Sequence, residues 1–547
     1  MTTERRSSLV GDSAASAVWT LASRVSGFGR VILIGAVLGP TYFGNLFQLA
    51  NQLPWIVFEL AVGSLLHALL VPVLMRSITA GDLRRTEQVA GSFLSLVLAG
   101  FTAITLAVVA GSYLLARLFA LPVADAGERG DFIAAAVPLI VLTAPQLVGY
   151  GIAMTGQAVQ QAMGRFALPA AAGIAENAVV IATLALYALW YGTGPALAEI
   201  DTPQLLLLGG GSTLGVAVHA AIQLWGMRRA GLRVRPRLAW REPEIIDVVR
   251  RAVPSSGTAV LNSLRFLVLL VAANAVPGGV VAFQLALNAL NLPVALGAKP
   301  VAYAALPRLS TLHQEGRIAE FLHAYRKSVL LAFCILAPAA AGALLLGRFA
   351  AGGIAVGEMA TPDGRALIGA TLVGICGAIV GDGLYQVATS GTYARDDATG
   401  PLKALAIRFG VTVVGAALAT VFFSGATVLL VMAVMMSLGD LAGSIMLHRR
   451  VTTGLPRHAP SAGRSVTALV LAAFASFAIV AFMTELGDTI VGLPTAPGAV
   501  LVLTGVLVAG ALALYGGLAL RFTEEFGPLL AELRAGRQGV PEEAPAL

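Results

Sequence analysis

Seven charged side chains interrupt long apolar stretches of this 547-residue chain, and their types indicate what the protein binds. They are Arg24, Arg30, Glu59, Glu176, Arg265, Lys299 and Asp382. A charge near the middle of a bilayer costs about 3 kcal/mol or more unless it is paired or hydrated, so such residues commonly mark a substrate or ion pathway. Arginine binds anionic groups through charge-assisted hydrogen bonds, whereas a proton or sodium antiporter is expected to carry more acidic groups. Arg24 and Arg30 therefore favour an anionic substrate.

Two stripes of polar residues accompany these charges. The first consists of Asn45, Gln48, Gln52 and Glu59, and the second of Gln284, Asn288 and Asn291. Within each stripe the spacing of three, four or seven residues places the members on one helical face. Ordinary hydrogen bonding between membrane helices is the alternative explanation. Because the stripes recur at corresponding places, we expect them to line opposite walls of one cavity. The residues expected there are Asn45, Gln52, Glu59, Asn288 and Asn291.

Glu59 is an anion in a site that we expect to hold another anion. We therefore predict that it pairs with an arginine, or that it takes up a proton during the working cycle. The candidate partners are Arg24, Arg30 and Arg265. Pairing would hold the arginines in place while the site is empty, and the arriving anion would displace the carboxylate.

The elements that position these residues are membrane helices. About fourteen apolar stretches are long enough to cross a hydrocarbon core of about 30 Å. The chain is 57% hydrophobic and 12% charged, whereas soluble domains are about 25% charged. The stretches lack the alternation of barrel strands, so the sequence predicts an all-α polytopic membrane protein. The net charge is +7, but the lysines and arginines lie largely in short loops, so no nucleic-acid partner is implied.

Alternate loops are rich in arginine, which predicts their orientation. The densest run is the segment 227–248, which has six arginines, whereas intervening loops such as 124–131 and 198–201 are acidic or neutral. Since Lys and Arg mark the cytoplasmic side, we expect both termini to be cytoplasmic and the number of spans to be even. The basic segment 1–13 is expected to be a retained cytoplasmic tail.

The chain also repeats itself. Pro72 and Gly81 recur in register as Pro307 and Gly316, 235 residues later, and a weaker echo joins Pro169 to Pro401. The alternative is chance similarity. A parallel repeat predicts two pseudo-symmetric six-helix lobes and two further helices, with an amphipathic cytoplasmic tail at the end. These parts are the N-lobe 14–226, the basic loop 227–248, the C-lobe 249–447, the pair 465–520 and the tail 521–547.

No set of residues indicates an enzyme. The six histidines are scattered, and Cys334 and Cys376 each lie inside an apolar stretch, where small packing residues are common. We therefore expect no catalytic residue, no disulfide, no metal site and no cofactor.

Five segments, in order, resemble those of one transporter family. They are SRVSGFGRVILIGAVLG (23–39), NQLPWIVFELAVGSLLHALLVPVL (51–74), QQAMGRFALPAAAGIAENAVVI (160–181), NALNLPVALGAKPVAYAALPRLS (288–310) and SGTYARDDATGPLKALAI (390–407). The matches occur in order through both lobes, roughly residues 14–450, and the chain resembles the MurJ/MviN lipid II flippases of the MOP transporter superfamily.

The resemblance implies a V-shaped, two-lobed flippase of the plasma membrane that works by alternating access. It would carry undecaprenyl-pyrophosphate-linked peptidoglycan precursor to the outer leaflet, with the pyrophosphate on Arg24 and Arg30 and the lipid tail near the last two spans. Arg265 would compensate for a family arginine replaced by Asn288. Other acidic or basic family positions are Val31, Asn45, Phe58, Glu59 and Leu287 here.

Three other readings stay open at this point: a flippase for another polyprenyl-linked glycan, a transport-inactive scaffold for envelope assembly, and a small-molecule cation antiporter. Expected partners are the lipid-linked substrate, membrane lipids, a coupling ion or the membrane potential, and cell-wall assembly proteins.

The orientation can be tested with one introduced cysteine. In a variant without Cys334 and Cys376, we predict that Gly231→Cys reacts with an impermeant thiol reagent only after cells are opened, because the arginine-rich loop is cytoplasmic. Gly127→Cys, in a loop predicted to be outside, serves as the labelled control. Labelling of Gly231→Cys in intact cells would contradict the predicted topology.

Overall fold

The computed structural model describes residues 3–61, 63–237, 246, 250, 257–453, 461–494 and 496–522. All regular structure in these residues is helical. The first ten α-helices are α1 (Thr3–Leu38), α2 (Tyr42–Ala61), α3 (Gly63–Thr79), α4 (Leu83–Ala110), α5 (Ser112–Ala120), α6 (Ala126–Thr143), α7 (Gln146–Ala162), α8 (Ala167–Tyr191), α9 (Thr202–Arg229) and α10 (Gly257–Ala273). The remaining nine are α11 (Gly279–Pro293), α12 (Lys299–Gln314), α13 (Ile318–Ile354), α14 (Pro362–Gly374), α15 (Cys376–Tyr393), α16 (Thr399–Phe422), α17 (Ala426–Thr452), α18 (Ser461–Val491) and α19 (Pro497–Phe522). A π-helical turn, Val294–Ala298, joins α11 to α12.

Most of the predicted spans are long apolar helices. The described residues contain eleven helices long and apolar enough to cross a membrane, or twelve when α14 and α15, which meet at 42°, count as one bent span. This confirms the prediction of an all-α polytopic membrane protein.

Two predicted spans fall short of that standard for different reasons. The second span consists of α2 and α3, and the polar stripe of α2 lowers its hydropathy. The seventh is represented by the 17-residue helix α10, because residues 251–256 lie outside the described part of the chain. The count of fourteen therefore stays a prediction.

The internal repeat has a counterpart in the backbone. Gly81 and Gly316 follow the ends of α3 and α12 with φ of 75° and 69°, a left-handed conformation that favours glycine. In both places the next amide bonds to the carbonyl five residues earlier: Asp82 N to Ser77 O, and Arg317 N to Leu312 O, both at about 3 Å. Such bonds satisfy carbonyls that a helix end leaves open, so the two glycines end their helices in the same way.

The chain forms two compact units. The first comprises 1–285, 355–367 and 416–429, and the second comprises 286–354, 368–415 and 430–547. In the first unit α8 packs on α1 and α9, and α10 packs on α2, whereas in the second α13 packs on α15, α18 and α19. The proposed division into lobes 14–226 and 249–447 concerns the repeat and stays a prediction.

The predicted terminal and loop segments are only partly described. Helix α1 begins at Thr3, so residues 3–13 of the predicted tail are helical. Residues 238–245 and 247–248 of the basic loop, and the amphipathic tail beyond residue 522, lie outside the described residues.

A buried asparagine fixes the turn between α10 and α11. The Asn45 side chain is fully buried, donates to Val276 O at 2.7 Å and accepts from Val280 N at 2.9 Å. Gly278, in the same turn, has φ of 74°, and a β-carbon there would collide with the backbone of Pro40. Both ends of the Asn45 amide are therefore used to hold backbone within the first unit.

We predict that Asn45→Leu destabilises the protein by about 2 to 4 kcal/mol, because leucine leaves a buried N–H and a buried carbonyl without their partner. Thermal unfolding of the purified protein in detergent measures the effect. Asn291→Leu makes the same change at an exposed position and serves as the control. Equal unfolding temperatures for the two variants would contradict the role of Asn45 as a clamp.

Candidate functional site

A chain of polar side chains crosses four helices of the first unit. We call it the polar chain, and it consists of Arg30 on α1, Glu176 on α8, His219 and Gln223 on α9, and Gln160 on α7. The distance from Arg30 Nη1 to Glu176 Oε1 is 3.6 Å, and that from Glu176 Oε2 to His219 Nδ1 is 2.7 Å. Farther along, Gln160 Nε2 donates to Gln223 Oε1 at 2.6 Å.

Close helix packing makes room for the polar chain. His219 and Gln223 lie one turn apart on α9 and so project from the same face. A β-carbon at Gly156 would contact the Gln223 side chain, and one at Gly226 would collide with the amide of Gln160. These two glycines therefore let α7 and α9 approach closely enough for their glutamines to bond, as small residues commonly do in membrane bundles.

The hydrogen bonds of the polar chain run in one direction. Gln223 Nε2 lies 3.4 Å from His219 Nε2 and donates to it, so the ring proton sits on Nδ1 and is donated to Glu176. This assignment of amide and ring orientations follows from the network. The carboxylate of Glu176 therefore lies between an arginine and a histidine.

Arg30 is the predicted site residue that belongs to the polar chain. Its side chain is 17% exposed, and its Nε makes no hydrogen bond within the described part of the chain. Arg24, on the same helix, is exposed. Neighbouring contacts hold this stretch of α1 against α8, since Asn177 Nδ2 donates to Ser26 Oγ at 2.9 Å.

The other predicted site residues have varied surroundings. Gln52 and Glu59 are half-buried on α2, and Glu59 interacts with another residue. Arg265 is buried within the first unit and is also engaged. On α11, Asn288 is half-buried and engaged, whereas Asn291 is exposed. The part each plays in binding stays a prediction, as does the cavity position proposed for Asn45.

Glu176 pairs with Arg30, one of the three arginines proposed as partners of Glu59, and the pairing of Glu59 itself stays a prediction. The sequence singled out Glu176 as a charge within an apolar stretch, whereas His219 was one of six scattered histidines. The only sequence signal for the polar chain was the set of polar residues on apolar helices at His219, Gln223 and Gln160.

A second ionic cluster, the arginine cluster, lies in the second unit. Arg408 Nε donates to Asp440 Oδ1 at 2.7 Å, and Arg408 Nη2 donates to Asp382 Oδ1 at 2.6 Å. The guanidinium also lies over the ring of Tyr385, with Cζ 4.4 Å from the ring centroid. Arg408 and Asp440 are almost fully buried, and neither was singled out from the sequence. The cluster joins α15, α16 and α17, so it serves packing of the second unit.

Two arginines in the family-like segments satisfy helix ends. Arg165 Nη1 donates to Arg229 O at 2.8 Å at the end of α9, and Arg395 Nη1 donates to Arg450 O at 3.1 Å near the end of α17. Cations near helix C-termini satisfy open carbonyls and interact favourably with the helix dipole. These two arginines therefore do the same structural work within their respective units.

Asp397 holds the start of α16 beside Arg395. It accepts hydrogen bonds from Arg450, from Thr399 Oγ1 at 2.9 Å and from Gly400 N at 3.0 Å. The hydrogen bond from Arg450, helped by those from Thr399 and Gly400, lowers the pKa of Asp397 to about 2. The carboxylate therefore stays ionised at all physiological pH values, and this segment is a structural link between α16 and α17.

The fold is that of the MOP-superfamily transporters. It is similar to the solved structure of lipid II flippase MurJ in an inward closed conformation, with a TM-score of 0.70 at 17% identity, over 94% of this chain and 99% of that one. An inward-facing MATE-family multidrug transporter of the MOP superfamily matches with a TM-score of 0.62 at 16% identity, over 80% of this chain and 98% of that one.

Sequence comparison identifies the family. The family model of the lipid II flippase MurJ matches residues 34–492. A probable lipid II flippase MurJ of Rhizobium tropici is 25% identical over 402 residues, covering 72% of each chain. One of Haemophilus influenzae is 26% identical over 404 residues, covering 70% of this chain and 76% of the relative. The chain belongs to the lipid II flippase MurJ family, which confirms the resemblance found in its sequence segments.

We predict that Arg408→Met destabilises the protein by about 3 to 5 kcal/mol, because it leaves two carboxylates in apolar surroundings without their cation. Thermal unfolding in detergent measures the loss. A triple variant that adds Asp382→Asn and Asp440→Asn removes the stranded charges and is expected to recover much of it. The structural role of the cluster would be wrong if Arg408→Met unfolded at the temperature of the unaltered protein.

Proposed function

We propose that this protein moves lipid II, an undecaprenyl-pyrophosphate-linked peptidoglycan precursor, from the cytoplasmic to the outer leaflet by alternating access. Family membership over residues 34–492 supports the substrate class. The observation that carries the proposal in the structure is Arg30, a partly exposed guanidinium that is only loosely held inside an apolar bundle.

Arg30 is well suited to an exchange of anions. At 3.6 Å, its contact with Glu176 is an ion pair longer than a good charge-assisted hydrogen bond, which is about 2.8 Å. A pyrophosphate offers several oxygens in place of one distant carboxylate oxygen. We propose that Arg30, together with the exposed Arg24 on the same helix, binds the pyrophosphate and that Glu176 holds Arg30 while the site is empty.

In this proposal the protein is a transporter located in the plasma membrane, and it moves its substrate without making or breaking covalent bonds. The arginine-rich loops, and with them both termini, face the cytoplasm, so the head group enters from the side on which those loops lie. Use of the membrane potential or a coupling ion, and association with cell-wall assembly proteins, belong to the same proposal. The family likeness extends it to the lipid tail, which would lie near α18 and α19.

We predict that replacing Arg24 and Arg30 together with alanine abolishes flipping without unfolding the protein. Each charge-assisted contact to phosphate contributes about 1.5 to 3 kcal/mol, so each single change is expected to weaken binding about tenfold to a hundredfold. The measurements are rescue of bacteria depleted of their lipid II flippase and a leaflet-specific assay of lipid II.

Arg117→Ala, which removes an exposed arginine outside the site, is the control and is expected to rescue normally. Normal rescue and normal lipid II exposure by the Arg24 and Arg30 double variant would contradict the proposed role of these arginines. Rescue failure by the unaltered protein, with another polyprenyl-linked glycan exposed instead, would redirect the substrate assignment.

A further inference from the structure

In the first unit, the carboxylate of Glu176 contacts both Arg30 and His219. Its second partner is a cation when His219 is protonated and a neutral ring when it is not. Glu176 Oε1 faces Arg30 at 3.6 Å, and Glu176 Oε2 faces His219 Nδ1 at 2.7 Å. Both carboxylate oxygens are thus committed to residues on different helices. Because histidine titrates near neutral pH, the charge on His219 decides how strongly Glu176 attracts Arg30.

The net charge of the trio Arg30, Glu176 and His219 depends on whether His219 carries this proton. With His219 neutral, the positive charge of Arg30 and the negative charge of Glu176 cancel. With His219 protonated, the histidinium neutralises Glu176 at a shorter distance, and the trio carries one net positive charge. An anion bound at Arg30 therefore meets an attractive site in the protonated form and a neutral one in the other.

Protonation of His219 disturbs only its long contact with Gln223. A protonated ring donates from Nε2, which lies 3.4 Å from Gln223 Nε2. The Gln223 amide also donates to Pro169 O at 3.4 Å and accepts from Gln160 Nε2 at 2.6 Å, and it keeps both of these bonds when the ring gains a proton. Protonation therefore opposes one long hydrogen bond of the polar chain and leaves the others in place.

Other ionisable groups lie on the elements packed around this trio. Besides Arg30, helix α1 carries Glu4, Arg5, Arg6, Asp12 and Arg24; the turn Gly357–Ala360 carries Glu358; α7 carries Tyr150; α2 carries Tyr42 and Glu59; α8 carries Tyr187 and Tyr191; α9 carries Arg228 and Arg229; and the first turns of α6 carry Glu128, Arg129 and Asp131. Of these, Tyr150 lies within electrostatic range of both Glu176 and Arg30. The side chains of His219 and Glu176 are 18% and 13% exposed.

We propose that His219 is a positioning residue whose protonation withdraws Glu176 from Arg30 and so opens Arg30 to the pyrophosphate of the lipid-linked substrate. Loss of the proton returns Glu176 to Arg30 and favours release. This rests on the proposed function and adds to it a pH-dependent control of head-group affinity.

Linkage fixes the sign of the effect. An anion at Arg30 stabilises the histidinium, so proton and substrate each favour the binding of the other. Affinity is therefore greatest at low pH, where His219 carries its proton, and falls to a lower level as pH rises and the proton is lost.

The test is lipid II binding to the purified full chain in nanodiscs, measured from about pH 5.5 to about pH 8.5, a range that spans ordinary histidine titration. We expect the affinity of the unaltered protein to fall about tenfold across that range. His219→Gln keeps a donor for Glu176 but no titratable charge, so its affinity is expected to stay at the weak, high-pH level throughout. Glu176→Gln frees Arg30 at every pH and removes the competing negative charge, so it is expected to bind at or above the strong, low-pH level of the unaltered protein throughout.

A residue with a merely structural role would not give this pattern, because the two variants change affinity in opposite directions: His219→Gln stays weak at low pH, and Glu176→Gln stays strong at high pH. His323→Gln changes an exposed histidine of α13 and is expected to keep the profile of the unaltered protein.

Binding that is equally pH-dependent in His219→Gln overturns the inference and leaves the proposed function intact. If the unaltered protein binds lipid II firmly with an affinity that does not change with pH, the inference is likewise overturned and the proposed function is left intact. Absence of lipid II binding by the unaltered protein at every pH overturns the proposed function and the inference with it. If His219→Gln fails to purify as a single folded species, the affinity of Glu176→Gln at high pH decides alone. Binding at the strong, low-pH level supports the inference, and binding as weak as that of the unaltered protein overturns it.

Discussion

The need to satisfy every polar group inside a hydrocarbon environment governs this structure. Water is scarce in a bilayer interior, so a side chain that brings a donor, an acceptor or a charge must find its partner on the protein. Asn45 meets this need with backbone, the arginine cluster meets it with two carboxylates, and the polar chain meets it by passing hydrogen bonds from helix to helix. Each solution also joins helices that are distant in sequence, because the partner of each buried polar residue lies on another element.

The same requirement explains one departure from the family pattern. At position 45 the family resemblance implies an aspartate, whereas this chain has an asparagine. The Asn45 side chain both donates to Val276 O and accepts from Val280 N. An ionised carboxylate can only accept, so the amide suits the backbone that surrounds it here. Asn45 is thus a neutral group that satisfies two buried partners.

The ionic contacts of the two units differ in strength: those of the arginine cluster in the second unit are short, and that of Arg30 in the first unit is long. The arginine cluster has short hydrogen bonds at 2.6 and 2.7 Å and little exposure, which suits a fixed packing role. Arg30 has a single longer contact at 3.6 Å and greater exposure. A residue that must exchange one anion for another gains from weak initial pairing, because tight pairing would oppose binding of the substrate. The geometry of Arg30 therefore fits a binding role better than that of Arg408.

Composition and hydropathy alone determined that this is a polytopic helical membrane protein, because only helices satisfy their own backbone over such long apolar stretches. The Pro–Gly repeat was also readable, since a left-handed helix end requires glycine at Gly81 and Gly316. The ordered segments indicated the family. The partner of Arg30 was not readable: it is Glu176, 146 residues along the chain. His219 and Asp440 drew no attention for the same reason. Helical spacing tells which residues share a face of one helix, whereas only the packing of α1, α8 and α9 decides which faces meet.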